Sequence, residues 1–183
     1  KINFEKIDKL VDRIVKWNSE NPDNKLKVRG HTLLWHAQTP EWFFHEGYDP
    51  SKEYVSKEVL RLRMEWYIKT VLEHFTSEKS PYKDLFYGWD VLNEAANDGS
   101  SMAFRDDTGG NDKLTDSTHN SKSSWWHVYK SSDYIVDAFT FANKYAPASL
   151  ELYYNDYGDS SPNKCKNICE ILKLIKEHEG PAG

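Results

Sequence analysis

An α/β fold on a parallel sheet is predicted by three features of this 183-residue sequence. Apolar residues alternate between helical spacing and short aliphatic, β-branched runs, in the order α-β-α-β-α-β-α. Strands separated in this way by helices pair in parallel through right-handed crossovers. Each of the three predicted strands then runs into a cluster of polar and aromatic residues, and in parallel α/β sheets that edge is where ligands bind.

The elements follow in order. From Phe4 to Trp17 the residues Phe4, Ile7, Leu10, Val11, Ile14 and Val15 keep helical spacing, and Asn21-Pro22-Asp23-Asn24 ends the helix. Leu26 to Trp35 predicts a buried strand, closing in His31-Thr32-Leu33-Leu34-Trp35-His36-Ala37-Gln38. A long helix is expected from about Ser51 to Phe75, with Val55, Val59, Leu62, Trp66, Val71, Leu72 and Phe75 among its apolar positions. Leu85 to Leu92 is the second strand and leads into Asn93-Glu94. The stretch 97–124, rich in Ser, Asp, Thr, Gly and Asn, reads as an enlarged loop. Asp133 to Tyr145 is helical, and Pro147 precedes the third strand, Leu150 to Tyr154, which leads into Asn155-Asp156-Tyr157. Ser161-Pro162 supplies the cap and first residue of a last helix with Cys165, Ile168, Leu172 and Ile175 on one face. Cys165 and Cys169 on that stripe are poorly directed for a disulfide and too few for structural zinc, and they read as small core residues. No segment reads as a linker between domains.

Composition narrows the function. With 29% charged residues, a net charge of −5 and no apolar run near the roughly 20 residues of a membrane helix, neither a membrane nor a nucleic acid is expected as partner. Aromatic residues are abundant, with 7 Trp, 11 Tyr and 8 Phe. Their flat apolar faces and polar tips suit sugar rings, or equally an aromatic-rich core. Neither a Gly-rich phosphate loop nor a Gly-x-Ser-x-Gly elbow occurs, which sets aside nucleotide and serine-hydrolase chemistry.

Three strand-end clusters on one edge make a cleft, and Glu94 is its sharpest chemical candidate. It emerges beside the aromatic strand 86–92, where desolvation favours a neutral carboxyl able to protonate a glycosidic oxygen; a surface loop glutamate is the alternative. Asn93 is suited to donate to a sugar 2-hydroxyl, or else to bond backbone at the strand end. Trp35 offers a platform, with His31 and Gln38 as hydroxyl partners. His36 reads as a supporting histidine, and Asp156 as a residue holding its loop. His31 and His36 point to opposite faces of a strand and have no third ligand, so no metal or other cofactor is expected.

The segment Val28-Arg29-Gly30-His31-Thr32-Leu33-Leu34-Trp35-His36-Ala37-Gln38-Thr39-Pro40-Glu41-Trp42 closely resembles the third-strand motif of family 10 glycoside hydrolases, the endo-β-1,4-xylanases. Gly88-Trp89-Asp90-Val91-Leu92-Asn93-Glu94-Ala95 resembles their fourth-strand motif, and Leu152-Tyr153-Tyr154-Asn155-Asp156-Tyr157 their fifth. The resemblance implies a (β/α)8 TIM barrel of which residues 1–183 are the central part of one catalytic domain, about strands three to five. It implies hydrolysis of xylan with retention, with Glu94 as acid/base, His31, Trp35, Gln38 and Asn93 on the glycone side and Tyr157 on the aglycone side. The family's nucleophile lies on its seventh strand, in a segment with no counterpart here. The expected partners are therefore xylan or xylo-oligosaccharide and the remaining barrel segments as further polypeptide. The alternative is a carbohydrate-binding fragment without catalysis. A secreted or cell-surface location is expected, because polymeric xylan does not enter cells. Three strands cannot close a barrel, so the inner strand faces, including Val91 and Leu33 or Leu34, are expected to lack partners.

Overall fold

A computed structural model describes residues 1–99, 102–108 and 122–178. Helix α1 (Glu5–Glu20) leads to strand β1 (Val28–Trp35) and two short 3-10 helices, Glu41–Phe44 and Glu46–Tyr48. Helix α2 (Lys57–Thr76) and strand β2 (Phe86–Asn93) follow, then helices α3 (Ser124–Tyr129) and α4 (Asp133–Tyr145), strand β3 (Glu151–Asn155) and helix α5 (Pro162–Glu177). The predicted alternation holds. The long helix begins later than its apolar spacing suggests, because extended Ser56 caps it by accepting from the Val59 N–H at 3.4 Å. The residues before that cap are held in a bridge between His45 and Tyr54.

The strands form a parallel sheet in the order β1-β2-β3. Central β2 is buried along its length except at Tyr87, as expected for a parallel strand covered on both faces. Helix α4 packs on β2 and on α2. Ion pairs flank the contact between the two helices, Arg61 with Asp137 at 2.9 Å and Lys144 with Glu65 at 2.7 Å. Lys144 and then Tyr145 hold the Glu65 carboxyl below its usual range by hydrogen bonding to it.

Two glycines permit the close approach of aromatic rings to the sheet. A Cβ on Gly30 would lie 2.1 Å from Cδ2 of Trp89, and one on Gly88 would lie 2.4 Å from Cε2 of Tyr153. Trp89 stacks on Phe86 with centroids 5.0 Å apart, so the indole cannot retreat without disturbing a second ring.

Burial corrects two expectations, on α5 and on the strand faces. On α5 the inward residues are Lys164, Asn167, Ile171 and Ile175, while Cys165, Cys169 and Leu172 face outward. Ile168 and Ile175 pack inward as expected, but the face turns toward Lys164 and Asn167, whose buried polar partners apolar spacing does not reveal. On α1 only Val11 is buried; Ile7, Leu10, Val15 and Trp17 are exposed. Val91, Leu33 and Leu34, expected to lack partners, are buried at 0%, 4% and 0% exposure. The uncovered apolar side chains sit instead on α1 and on α2, where Val59, Leu62 and Trp66 are exposed.

Sequence reading also missed the two 3-10 helices and α3. Of the predicted loop 97–124, residues 100–101 and 109–121 lie outside the described residues. The rest doubles back: Ala96 bridges Phe104, and the Arg105 N–H donates to the Ala95 carbonyl at 2.7 Å.

Gly30→Ala should destabilise the complete protein by about 1–3 kcal/mol, the usual cost of overpacking a filled core. Chemical denaturation measures it, and a change within error would mean that the ring has room to move. Residues 1–183 expressed by themselves should show no cooperative thermal transition. Each large apolar side chain left wet forfeits about 1.5–3 kcal/mol, against a domain stability of only about 5–15 kcal/mol. A sharp transition from a monomer at the mass of this segment would overturn that expectation.

Candidate active site

The parallel register brings the three strand ends level: Trp35 pairs with Asn93, and Asn93 with Asn155. Glu94 is the next residue on the central strand, flanked by both neighbours. Its N–H donates to the Asn155 carbonyl at 2.9 Å, and its carbonyl accepts from Nε of Arg105 at 3.0 Å. Its carboxyl Oε2 accepts from the Trp35 indole Nε1 at 3.0 Å. Backbone and side chain of Glu94 are therefore fixed from three directions. The residue also sits in the left-handed region, with φ +54°. For a residue with a Cβ this costs roughly 1–2 kcal/mol and persists only where the surroundings enforce it, commonly at functional sites.

Asn93 is buried at 2% exposure, and its Oδ1 accepts from Nδ2 of Asn155 at 2.8 Å. That bond fixes the amide and turns its own NH2 into the donor to be presented. Trp35 is half-buried and held from behind, since its carbonyl accepts from Trp125 Nε1 at 3.1 Å and from Thr39 Oγ1 at 2.8 Å.

His31 is oriented by Asp90, whose Oδ2 lies 2.8 Å from the imidazole Nδ1. Arg29 clamps the other carboxylate oxygen through Nε at 2.8 Å and through a guanidinium NH2. Asp90 is buried at 3% exposure, where an unpaired charge would be costly, and Arg29 with His31 satisfies it. An ionised Asp90 only accepts, so Nδ1 carries the proton and Nε2 is left for a partner in the cleft.

A cavity of about 830 Å³ opens beside these residues and is lined by His31, Thr32, Trp35, Gln38, Trp42 and Trp125, among others. Gln38 is exposed and also left-handed, with φ +62°. His31, Trp35 and Gln38 thus share one cavity, with Glu94 bonded to Trp35 at its margin. Tyr157 lies apart from that cavity, beyond the end of β3, with its hydroxyl donating to Asp98 Oδ2 at 2.8 Å. The ring is half-exposed at 49% and open to stacking. His36 stands edge-on to Trp35 with centroids 6.1 Å apart, as a supporting residue would.

Asp156 holds its loop, as its strand-end position suggests. It pairs with Lys164 at 2.9 Å and accepts from the Tyr157 N–H at 2.8 Å and the Ala96 N–H at 3.3 Å. Two supporting residues escaped sequence reading. Arg105 lies inside a polar stretch that gives no periodic signal. Trp125 was detectable through Ser123, whose Oγ caps α3 by accepting from the Trp126 N–H at 3.2 Å.

The family model described as glycosyl hydrolase family 10 matches residues 1–182. Endo-1,4-beta-xylanase Y of Acetivibrio thermocellus is 39% identical over 149 residues, covering 81% of this chain and 13% of that protein. The CBM22-1 and GH10 modules of Clostridium thermocellum endo-1,4-beta-D-xylanase 10B, solved with xylohexaose, superpose with a TM-score of 0.71 at 35% identity. That match covers 82% of this chain and 28% of the other. An intracellular xylanase from Thermoanaerobacterium saccharolyticum, solved as a mutant with xylotriose, gives 0.73 at 32% identity, covering 97% and 46%. The chain spans 43% and 13% of the length of two curated relatives it matches.

The left-handed backbone at Glu94 has a measurable consequence. Glu94→Gly should be more stable than Glu94→Ala by about 1 kcal/mol, because both lose the carboxyl and only alanine keeps the Cβ clash. Denaturation of the two variants of the complete protein measures the difference. Equal stabilities would mean that the φ angle is not enforced.

Proposed function

The chain belongs to glycosyl hydrolase family 10, and on that premise we propose that it contributes the acid/base and much of the sugar-binding surface of a retaining endo-β-1,4-xylan hydrolase. In this reading β1, β2 and β3 are the third to fifth strands of a (β/α)8 barrel, and further polypeptide completes it. The hydrogen bond between Trp35 and Glu94 at 3.0 Å carries the proposal, because it joins the aromatic platform to the acid at the edge where such barrels act.

The chemistry assigned to each group follows from its setting. Glu94 protonates the glycosidic oxygen as the bond breaks, then removes a proton from the water that releases the sugar. The NH2 of Asn93 donates to the 2-hydroxyl, a bond that strengthens as positive charge grows at the anomeric carbon. His31, Trp35 and Gln38 bind the glycone side, with His31 Nε2 accepting from a sugar hydroxyl. Tyr157 stacks on the aglycone side.

Retention requires a second carboxylate about 5–5.5 Å from the first. Among the described residues, the other acids at these strand ends are engaged: Asp90 by Arg29 and His31, and Asp98 and Asp156 by Lys164. We assign the nucleophile to polypeptide outside residues 1–183. The solved complexes of relatives with xylohexaose and xylotriose support a xylo-oligosaccharide ligand. We place the protein outside the cell or at its surface, where polymeric xylan is met; one relative is described as intracellular, so cell fractionation decides.

In the complete enzyme, Glu94→Gln should lower kcat/KM on xylan by about 100-fold or more, the scale of general acid catalysis. Aryl xylosides with good leaving groups need little protonation and should lose far less in that parameter. Equal losses on both would remove Glu94 from the acid role. Binding of xylo-oligosaccharide by a wild-type barrel that never cleaves it would point to the non-catalytic alternative.

A further inference from the structure

Helix α5 places a buried cation beneath the site. Lys164 is 2% exposed, and its ammonium has three N–H donors. It donates to the Ala96 carbonyl at 2.8 Å and to Asp98 Oδ1 at 2.8 Å, and it is ion-paired with Asp156 Oδ1 at 2.9 Å. The same ammonium stands 4.3 Å from the centroid of the Tyr157 ring, within cation–π range. One side chain therefore ties the loop after β2 to the loop after β3 and touches the proposed aglycone platform directly.

The neighbouring bonds tighten this link. Asp98 uses its second oxygen to accept from the Tyr157 hydroxyl at 2.8 Å, with Arg105 at 3.5 Å. Arg105 in turn holds the Glu94 carbonyl. One turn further along α5, Asn167 Nδ2 donates to the carbonyls of Asn97 and Gly99, each at 2.8 Å. Lys164 and Arg105 balance the charge of Asp98 and Asp156. Without the ammonium, two carboxylates would face each other across a partly buried gap, and the loops would separate.

We propose that Lys164 is a positioning residue that fixes the Tyr157 ring and the segment behind Glu94 in one arrangement, so that the aglycone-side sugar meets the acid in register. The proposal rests on the roles given above to Glu94 and Tyr157. Lys164 itself touches no substrate; it acts through Tyr157, Asp98 and Ala96.

The test is a substrate comparison in the complete enzyme. Lys164→Met should lower kcat/KM on xylohexaose by about 10–100-fold, the scale expected for a misplaced reacting partner. An aryl xylobioside with a good leaving group places no sugar on the Tyr157 side and needs little acid, so its kcat/KM should fall by about threefold or less. In a Tyr157→Ala background, Lys164→Met should add much less than its single effect, because both remove the same platform. Should Lys164→Met not fold, Asp98→Ala at the surface breaks the link between the ammonium and the Tyr157 hydroxyl and should give the same selective loss, smaller in size. Equal losses on the two substrates, or full additivity with Tyr157→Ala, would overturn the positioning role. A wild-type enzyme inactive on both substrates would instead overturn the functional reading on which it rests.

Discussion

The level register of three parallel strands is the constraint on which everything else in this molecule depends. Trp35, Asn93 and Asn155 lie side by side across the sheet, so the residue after Asn93 emerges between two neighbours rather than at a free end. That residue is Glu94, and both neighbours use their position: Trp35 holds its carboxyl and Asn155 its backbone. A shift of register would send these side chains to other levels and faces, and the acid would lose its partners.

Around this edge the carboxylates are sorted by the company they keep. Asp90 is enclosed by Arg29 and His31 and serves to aim the imidazole. Asp98 and Asp156 share one buried ammonium and serve to join two loops. The Glu94 carboxyl, by contrast, accepts from the neutral Trp35 indole. In the acid/base role proposed for Glu94, that bond orients the carboxyl without a fixed cation as its partner.

The burial pattern divides the described residues into a covered core and an uncovered apolar strip. The central strand and its helical cover enclose a core in which Val91, Leu34, Ile68 and Ile135 are fully buried. The apolar residues left uncovered lie along α1 and the outer turns of α2. Trp66 of α2 also lines the open cavity, as does Ile2 before α1.

Local sequence determined a good deal here. The order of helices and strands, the three strand-end clusters and Glu94 at the end of the second strand were legible, because hydrophobic period and strand termini are properties of neighbouring residues. The family resemblance was legible for the same reason, since its motifs are continuous strand ends. Tertiary structure decided what depends on partners far apart in the chain. The inward face of α5 is set by Lys164 and Asn167, whose hydrogen-bond partners Ala96, Asp98, Asn97 and Gly99 are far off in the chain, so apolar spacing misplaced the cysteines. Arg105 and Trp125 support the acid and its platform from a stretch without periodicity. A buried polar group is stable only where its hydrogen-bond partners converge, and that convergence exists only in the folded chain.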